Sequence, residues 1–177
     1  MLAYLFVLIA VAVRLGVAAK VLALPFSFTP VGAALLFFGA KMPRKQAWIP
    51  LVLLAGSDVV LTKVLYGYPF SADHYVTWAW YAVALGIGMM LAKNDGLLRV
   101  ASASLTSSVS FFLISNAAVW AVWNMYPKTL GGLWMSYAAG LPFFRNAVIG
   151  DMIFAVTFFS IPVAIELFRP KAARERA

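Results

Sequence analysis

Five long apolar segments limit what this chain can fold into. They run from Leu2 to Leu24, Ala47 to Leu65, Val76 to Ala92, Val100 to Val122 and Ala147 to Phe168. Each comes close to the roughly 20 residues that an α-helix needs to cross the hydrocarbon core of a bilayer. Of the 177 residues, 64% are hydrophobic and 11% are charged, against about 25% charged in soluble domains. The sequence therefore predicts an all-α integral membrane protein that is surrounded by lipid.

A sixth, shorter helix is predicted between the first two segments. Thr29 suits an N-cap and Pro30 suits the first helical position, so this helix should run from there to about Lys41. It is too short to span a bilayer on its own. Residues 25–29 are expected to precede it as a re-entrant-like loop, which is tolerated at membrane depth only beside protein or a wet cavity.

Basic residues set the predicted orientation, because cytoplasmic loops gather Lys and Arg. Basic residues lie between helices two and three, between helices four and five, and on the C-terminal tail 169–177. The loop from Tyr66 to Tyr75 contains no Lys or Arg; its one basic residue is His74, and it also carries the acidic Asp73. We therefore expect a protein of the bacterial inner membrane, with one domain of six transmembrane helices over residues 1–168 and a basic tail. Both termini are expected on the cytoplasmic side.

The segment from Leu130 to Phe144 is apolar but is interrupted by glycines and by Pro142. A span here would place the basic tail outside. This segment is therefore predicted to form a separate interfacial or re-entrant helix on the outer side of the membrane.

Several polar side chains lie within the apolar segments, in their central or predicted outer parts. Ionisable groups at such depth commonly face a bundle interior and mark a site. The residues are Arg14, Lys20, Asp58, Lys63, Asn116 and Asp151. They indicate an outward-facing polar cavity. The alternative is an internal ion pair of Arg14 with Asp58, with Lys20 and Lys63 reaching the outer headgroups.

Other residues complete the predicted substrate site. Thr29 stands at the N-terminus of the short helix, whose dipole would attract an anionic ligand group. Trp78, Tyr81 and Trp120 could stack on a flat ligand or could form an interfacial aromatic belt. Arg145 adds positive charge at the mouth, and His74 is either an ordinary loop residue or a ligand contact.

Enzymatic and nucleic-acid functions are not favoured. The net charge is +8, but the 14 Lys and Arg are scattered between apolar runs and form no basic face. With no cysteine and a single histidine, the chain offers no disulfide, thiolate nucleophile or catalytic triad. We expect no enzyme, no metal, no cofactor and no nucleic-acid partner.

A set of short motifs resembles an uncharacterised family of small bacterial membrane proteins. The motifs are Ser27 to Ala33, Gly39, Ser57-Asp58, Ser115-Asn116 with Trp120, Tyr126 to Leu130, and Pro142 to Asn146 with Asp151. That family is similar to the substrate-binding S-components of energy-coupling-factor (ECF) vitamin transporters. The resemblance implies an S-component-like bundle that captures a vitamin-like ligand from outside and docks to a coupling module.

Docking in S-components, as the resemblance implies, uses small residues on helix one. The candidates here are Ala12 with Gly16 and Ala19 with Ala23, and Arg14 and Lys20 interrupt these faces. A solitary transporter is therefore an alternative to one that uses the ECF module. Related solitary transporters take up cobalamin through a cysteine, for which only His74 could substitute in this chain.

Two classes of function follow. The first is a membrane uptake protein that binds a small vitamin-like or polar aromatic ligand in an outward-facing cavity. The second is a non-catalytic assembly or scaffold protein, which predicts a filled interior and a stable protein partner instead of a small ligand.

Overall fold

The computed structural model describes residues 1–168, and these residues form an all-α bundle. Its helices are α1 (Leu2–Ala18), α2 (Val31–Lys41), α3 (Trp48–Val60), α4 (Asp73–Met90), α5 (Leu97–Val122) and α6 (Leu130–Phe168). A 3₁₀ turn at Arg44–Gln46 precedes α3, and a π-helical turn at Leu61–Leu65 continues it. The predicted basic tail, residues 169–177, lies outside the described residues.

Three helical stretches are long and apolar enough to cross a membrane, by length and composition. They are Arg44–Leu65, Leu97–Val122 and Leu130–Phe168, while Leu2–Ala18 and Val31–Lys41 are apolar but shorter. Large apolar side chains such as Trp134 and Leu130 are 73% and 85% exposed. Exposed apolar surface of this kind indicates that the protein is embedded in lipid.

Helix α2 forms the centre of the bundle and packs against α1, α4, α5 and α6. Every residue from Val31 to Ala40 is buried, as expected for a helix that is apolar on all sides. Gly39 and Gly88 allow α2 and α4 to cross closely. A Cβ atom at Gly39 would overlap the backbone of Leu85, and one at Gly88 would overlap the backbone of Leu36.

Aromatic rings fill the space between α1, α2 and α6. Phe6 stacks on Phe158 with ring centroids 4.0 Å apart, and it meets Phe37 edge-on at 4.8 Å. Phe37 in turn meets Phe159 at 5.0 Å. These offset and edge-to-face pairs suit the quadrupoles of the rings, and they fix the register of α6 against the central helix.

Helix α1 ends six residues earlier than the predicted Leu24. The N–H of Lys20 bonds to the carbonyl of Val17, and the N–H of Val21 bonds to that of Gly16. This is the Schellman pattern, with Lys20 at a left-handed φ of 59° in place of the usual glycine. The end of α1 escaped sequence reasoning because the residue that terminates it is a lysine.

The predicted separate helix at Leu130 to Phe144 is wrong, because α6 is continuous from Leu130 to Phe168. Two of the three glycines in this segment are points of close contact and do not break the helix. Gly132 lies against the backbone of Pro127, and Gly140 lies against the side chain of Asn116. The start of α6 therefore packs along α5 and does not lie apart as an interfacial segment.

Candidate functional site

A cavity of about 280 Å³ lies where α1 and α3 end and α2 and α4 begin. We call this the cavity end of the bundle. The lining includes residues from α1, α2, α4, α5 and α6, from the π-helical turn after α3 and from the α1–α2 loop, among them Arg14, Thr29, Gly32, Tyr81, Phe111 and Asp151. Phe26 and Tyr66, which are 70% and 51% exposed, mark its rim.

Arg14 and Asp58 form a buried ion pair beside the cavity. The Nη2 atom of Arg14 contacts Oδ1 of Asp58. Its Nη1 atom donates to the hydroxyl of Ser57 at 3.0 Å and to that of Tyr81 at 3.1 Å. The Asp58 carboxylate also accepts hydrogen bonds from Tyr81 at 3.0 Å and from the indole N–H of Trp78 at 2.9 Å. The internal pair that the sequence allowed as an alternative is therefore present.

Asp151 is a second buried carboxyl group, and its surroundings differ. It faces the first turn of α2, and the hydroxyl of Ser108 donates to its Oδ2 atom at 2.6 Å. A Cβ atom at Gly32 would lie 2.6 Å from Oδ1, so glycine permits this close approach. Within residues 1–168, Ser108 provides the one hydrogen bond to this carboxyl group.

The N-terminus of α2 opens onto the cavity without a side-chain cap. The helix begins at Val31 with Pro30 in the N-cap position, one residue later than the sequence predicted, so Thr29 lines the cavity but does not cap the helix. The first backbone N–H groups of such a helix have no intrahelical acceptor, and its dipole is positive there. The carboxyl group of Asp151 faces this end.

The α1–α2 loop forms one wall of the cavity. Residues 25–29 line it, and Phe28 N–H bonds to the carbonyl of Pro25 at 3.0 Å. Ser27 has a left-handed φ of 65°. Phe26 contacts Phe143 with ring centroids 5.1 Å apart, and its carbonyl accepts a hydrogen bond from Asn146. The loop is thus held against α6.

Three of the predicted cationic contacts do not line the cavity. Lys20, Lys63 and Arg145 are exposed, at the ends of α1 and α3 and on the outer side of α6. Lys20 serves the turn that ends α1. The exposed positions of Lys20 and Lys63 fit the alternative interpretation, in which these two side chains reach away from the bundle.

Asn116 and Trp120 belong to the contact between α5 and α6. The amide of Asn116 bonds to the carbonyl of Phe112 at 2.8 Å, and its backbone carbonyl accepts a hydrogen bond from Ser136. The indole N–H of Trp120 bonds to the carbonyl of Pro127 at 2.9 Å. Both residues therefore stabilise the hairpin of α5 and α6, and neither lines the cavity.

His74 connects the end of α3 to the start of α4. Its Nε2 atom lies 2.8 Å from the hydroxyl of Thr62, and its ring stacks on Phe70 at 4.1 Å. Thr62 lies in the π-helical turn. Among the described residues, no cluster of three or more His, Asp or Glu is placed to hold a metal ion.

Sequence reasoning missed several residues of the site. Trp80 and Phe111 line the cavity, but neither was among the predicted site residues, because aromatic residues are frequent throughout this sequence and nothing distinguished these two. Ser108 was also not among the predicted site residues, because it is one of several serines on α5. The sequence around Ser108 does not indicate that it binds a carboxyl group, because its partner Asp151 lies on another helix.

The comparisons with known proteins give one match. The sequence profile described as "Family of unknown function (DUF6580)" matches residues 1–173. No curated protein and no solved structure matches the chain.

Proposed function

We propose that this chain, which belongs to the Family of unknown function (DUF6580), is a membrane uptake protein that binds a small ligand in the cavity. The observation that carries the proposal is the lining itself. It combines aromatic rings with two ionisable groups, the partly buried Arg14 and the buried Asp151. Concave sites of this composition are typical of small-molecule binding, since the apolar walls provide area and the few polar groups provide orientation.

The size of the cavity limits the ligand. Its volume of about 280 Å³ is just below the roughly 300–1,000 Å³ that is typical of small-molecule sites. A ligand with one small ring system fits this space, whereas a corrinoid such as cobalamin is much larger. The position of His74 outside the lining also provides no axial ligand to a corrinoid. The proposal is therefore a small polar aromatic or vitamin-like compound.

The proposed topology has six spans, with both termini and the basic loops in the cytoplasm of a bacterial cell. The cavity then faces outward, because its loops 19–30 and 66–72 carry few basic residues. Lys41 and Asp95 form an ion pair of 2.5 Å at the opposite end. Short α2 crosses only part of the bilayer, and the α1–α2 loop supplies the remaining depth.

The absence of cysteine makes this topology easy to test by single-cysteine labelling. Ala72 and Asn94 are exposed loop residues on opposite sides in the proposed arrangement. A membrane-impermeant maleimide added to intact cells should label Ala72→Cys and should label Asn94→Cys only after the cells are opened. Labelling of both variants in intact cells, or of Asn94→Cys alone, would overturn the topology.

Coupling to an ECF module is the less favoured form of the proposal. Of the small residues that such docking would use, Ala19 and Ala23 lie beyond the end of α1. Leu22 folds back onto Gly16, where an added Cβ would come within 2.9 Å of it. The small-residue face of α1 is therefore partly covered by the chain itself, which favours a solitary transporter.

The experiment that tests ligand capture is mass spectrometry of small molecules released from the gently purified protein. Ala147 lines the cavity, so Ala147→Phe should fill it without removing a polar group. We expect a compound that is released from the wild type and is absent from the variant, and that raises the melting temperature of the wild type when added back. Equal release from both proteins would place binding elsewhere.

The scaffold alternative is favoured by one other feature. An apolar groove between α5 and α6 at the opposite end is lined by Val100, Val156, Phe159 and Val163 among others. A scaffold predicts a stable protein partner on purification and no ligand in the cavity. The scaffold alternative would replace the uptake proposal under three joint results. The protein would release no compound, its melting temperature would not shift with vitamins or their precursors, and it would purify with a stoichiometric protein partner.

A further inference from the structure

We propose that the cavity selects a ligand with a cationic group, and that Asp151 is the residue that pairs with this group. The inference rests on the proposed function and specifies its substrate class, a small aromatic amine or a related organic cation. It reverses the anionic ligand that the dipole of α2 suggests when the sequence is considered alone.

The distribution of charge around the cavity carries the first step. Both terminal nitrogens of Arg14 are engaged by Asp58, Ser57 and Tyr81, so the guanidinium is already neutralised. An anionic ligand would have to compete with a carboxylate that is in direct contact. Asp151 also lines the cavity, and no residue of the lining provides it with a counter-charge.

The surroundings of Asp151 carry the second step. This residue is 8% exposed and lines the cavity. One oxygen, Oδ2, accepts a hydrogen bond from Ser108, and the other, Oδ1, lies beside Gly32. The first turn of α2, where an anionic ligand would bind, is therefore already faced by a carboxyl group of the protein. A second anion there would be repelled, whereas a cation would complete the charge balance.

The aromatic walls carry the third step. Trp80, Tyr81 and Phe111 line the cavity together, and the Trp80 and Phe111 rings lie 4.5 Å apart. Hydrogen bonds from the Trp80 indole to Ser110 at 3.1 Å and to the carbonyl of Ser107 at 3.3 Å hold the ring in place. Fixed aromatic faces attract organic cations as well as flat rings, so the walls and Asp151 favour the same class of ligand.

The test uses three probes with one ring and different charge: 2-phenylethylamine, 2-phenylethanol and 3-phenylpropionate. Binding to the purified protein in detergent is measured by calorimetry. We expect the wild type to bind the amine about tenfold more tightly than the anion, or better. Asp151→Asn should abolish this preference, whereas the matched control Asp95→Asn, at the opposite end of the bundle, should retain it.

The outcomes separate this inference from the proposed function. Equal or tighter binding of 3-phenylpropionate, an amine preference that survives in Asp151→Asn, or no binding of any probe would each overturn the inference. The comparison of probes on the wild type remains decisive even where the variant fails to fold. Release of an anionic compound from the wild type would leave the uptake proposal standing and would refute the cationic class. Release of no compound would count against the uptake proposal itself.

Discussion

Asp58 and Asp151 are both buried carboxylates at the cavity end of the bundle, with exposures of 6% and 8%, but the protein satisfies them to different degrees. Asp58 contacts the Arg14 guanidinium and accepts hydrogen bonds from Tyr81 and Trp78. Among the described residues, Asp151 accepts a single hydrogen bond, from Ser108, and the N-terminus of α2 lies next to it.

This difference separates a structural carboxylate from one that is available to a ligand. A charge in a low-dielectric interior is costly unless it is paired and hydrogen-bonded. Asp58 meets this requirement within the fold, where it links α1, α3 and α4. Asp151 meets it only in part, and the cavity beside it leaves room for a group from outside. Four substitutions test this distinction.

The largest expected effect is that of Asp58→Ala. Removing the carboxylate leaves Arg14 buried without its partner, which typically costs about 3–5 kcal/mol. Unfolding of the purified protein, followed by circular dichroism during titration with SDS, gives the free energy. The double variant Arg14→Met with Asp58→Leu should recover most of the loss, because it removes both charges. A single variant as stable as the wild type would show that the ion pair contributes little.

Gly32→Ala should perturb the other carboxylate. The new Cβ would lie 2.6 Å from Oδ1 of Asp151, so the carboxyl group must move away from α2. Overpacking of this kind costs about 1–3 kcal/mol, and binding of 2-phenylethylamine should weaken in parallel. Gly86→Ala is the matched control, because nothing lies within 4 Å of its added Cβ. Equal stability of the two variants would refute the close contact.

Tyr81→Phe should weaken the network around Asp58 without breaking its ion pair. The substitution removes a hydroxyl that donates to the carboxylate and accepts from Arg14, and hydrogen bonds to charged groups contribute about 1.5 kcal/mol or slightly more. Tyr66→Phe, on the exposed rim of the same cavity, should leave the free energy of unfolding nearly unchanged. If Tyr81→Phe lowers the free energy of unfolding no more than the control does, the Tyr81 hydroxyl does not contribute to the stability of the network around Asp58.

Lys20→Gly should have the smallest effect and the opposite sign. Lys20 adopts a φ of 59°, which costs a side-chain-bearing residue about 1 kcal/mol relative to glycine. The variant should unfold at slightly higher denaturant concentration and should bind 2-phenylethylamine with unchanged affinity. A loss of affinity for 2-phenylethylamine would show that Lys20 contributes to the site, although it is exposed and does not line the cavity.

Much of the helical pattern could be predicted from the sequence, because lipid requires long apolar helices. Arg14, Asp58 and Asp151 could be selected from the sequence because they stand out in apolar surroundings, but Arg14 and Asp58 were expected near the middle of their helices and lie close to the ends of α1 and α3. What sequence reasoning could not provide was partner choice. Arg14 pairs with Asp58 and Asp151 pairs with Ser108 through contacts between helices far apart in the chain.

Two predicted helix boundaries, the end of α1 and the start of α6, were wrong for physical reasons. Lys20 ends α1 in a conformation that usually indicates glycine, so the apolar run continued past the true end. Gly132 and Gly140 look like helix breakers in a soluble protein, yet here they let α6 approach Pro127 and Asn116. Small residues at helix contacts are typical of membrane proteins, and this use of glycine made the predicted break between Phe144 and Ala147 incorrect.

The most direct test of the distinction between the two carboxylates is the free energy of unfolding of the wild type and of Asp151→Asn, with and without saturating 2-phenylethylamine. A ligand that binds only the folded state stabilises it in proportion to its affinity. We predict that the two proteins have similar stability without the amine, and that the amine stabilises the wild type clearly more than it stabilises the variant. A variant that the amine stabilises as much as it does the wild type, or one that loses as much stability as Asp58→Ala, would contradict this account.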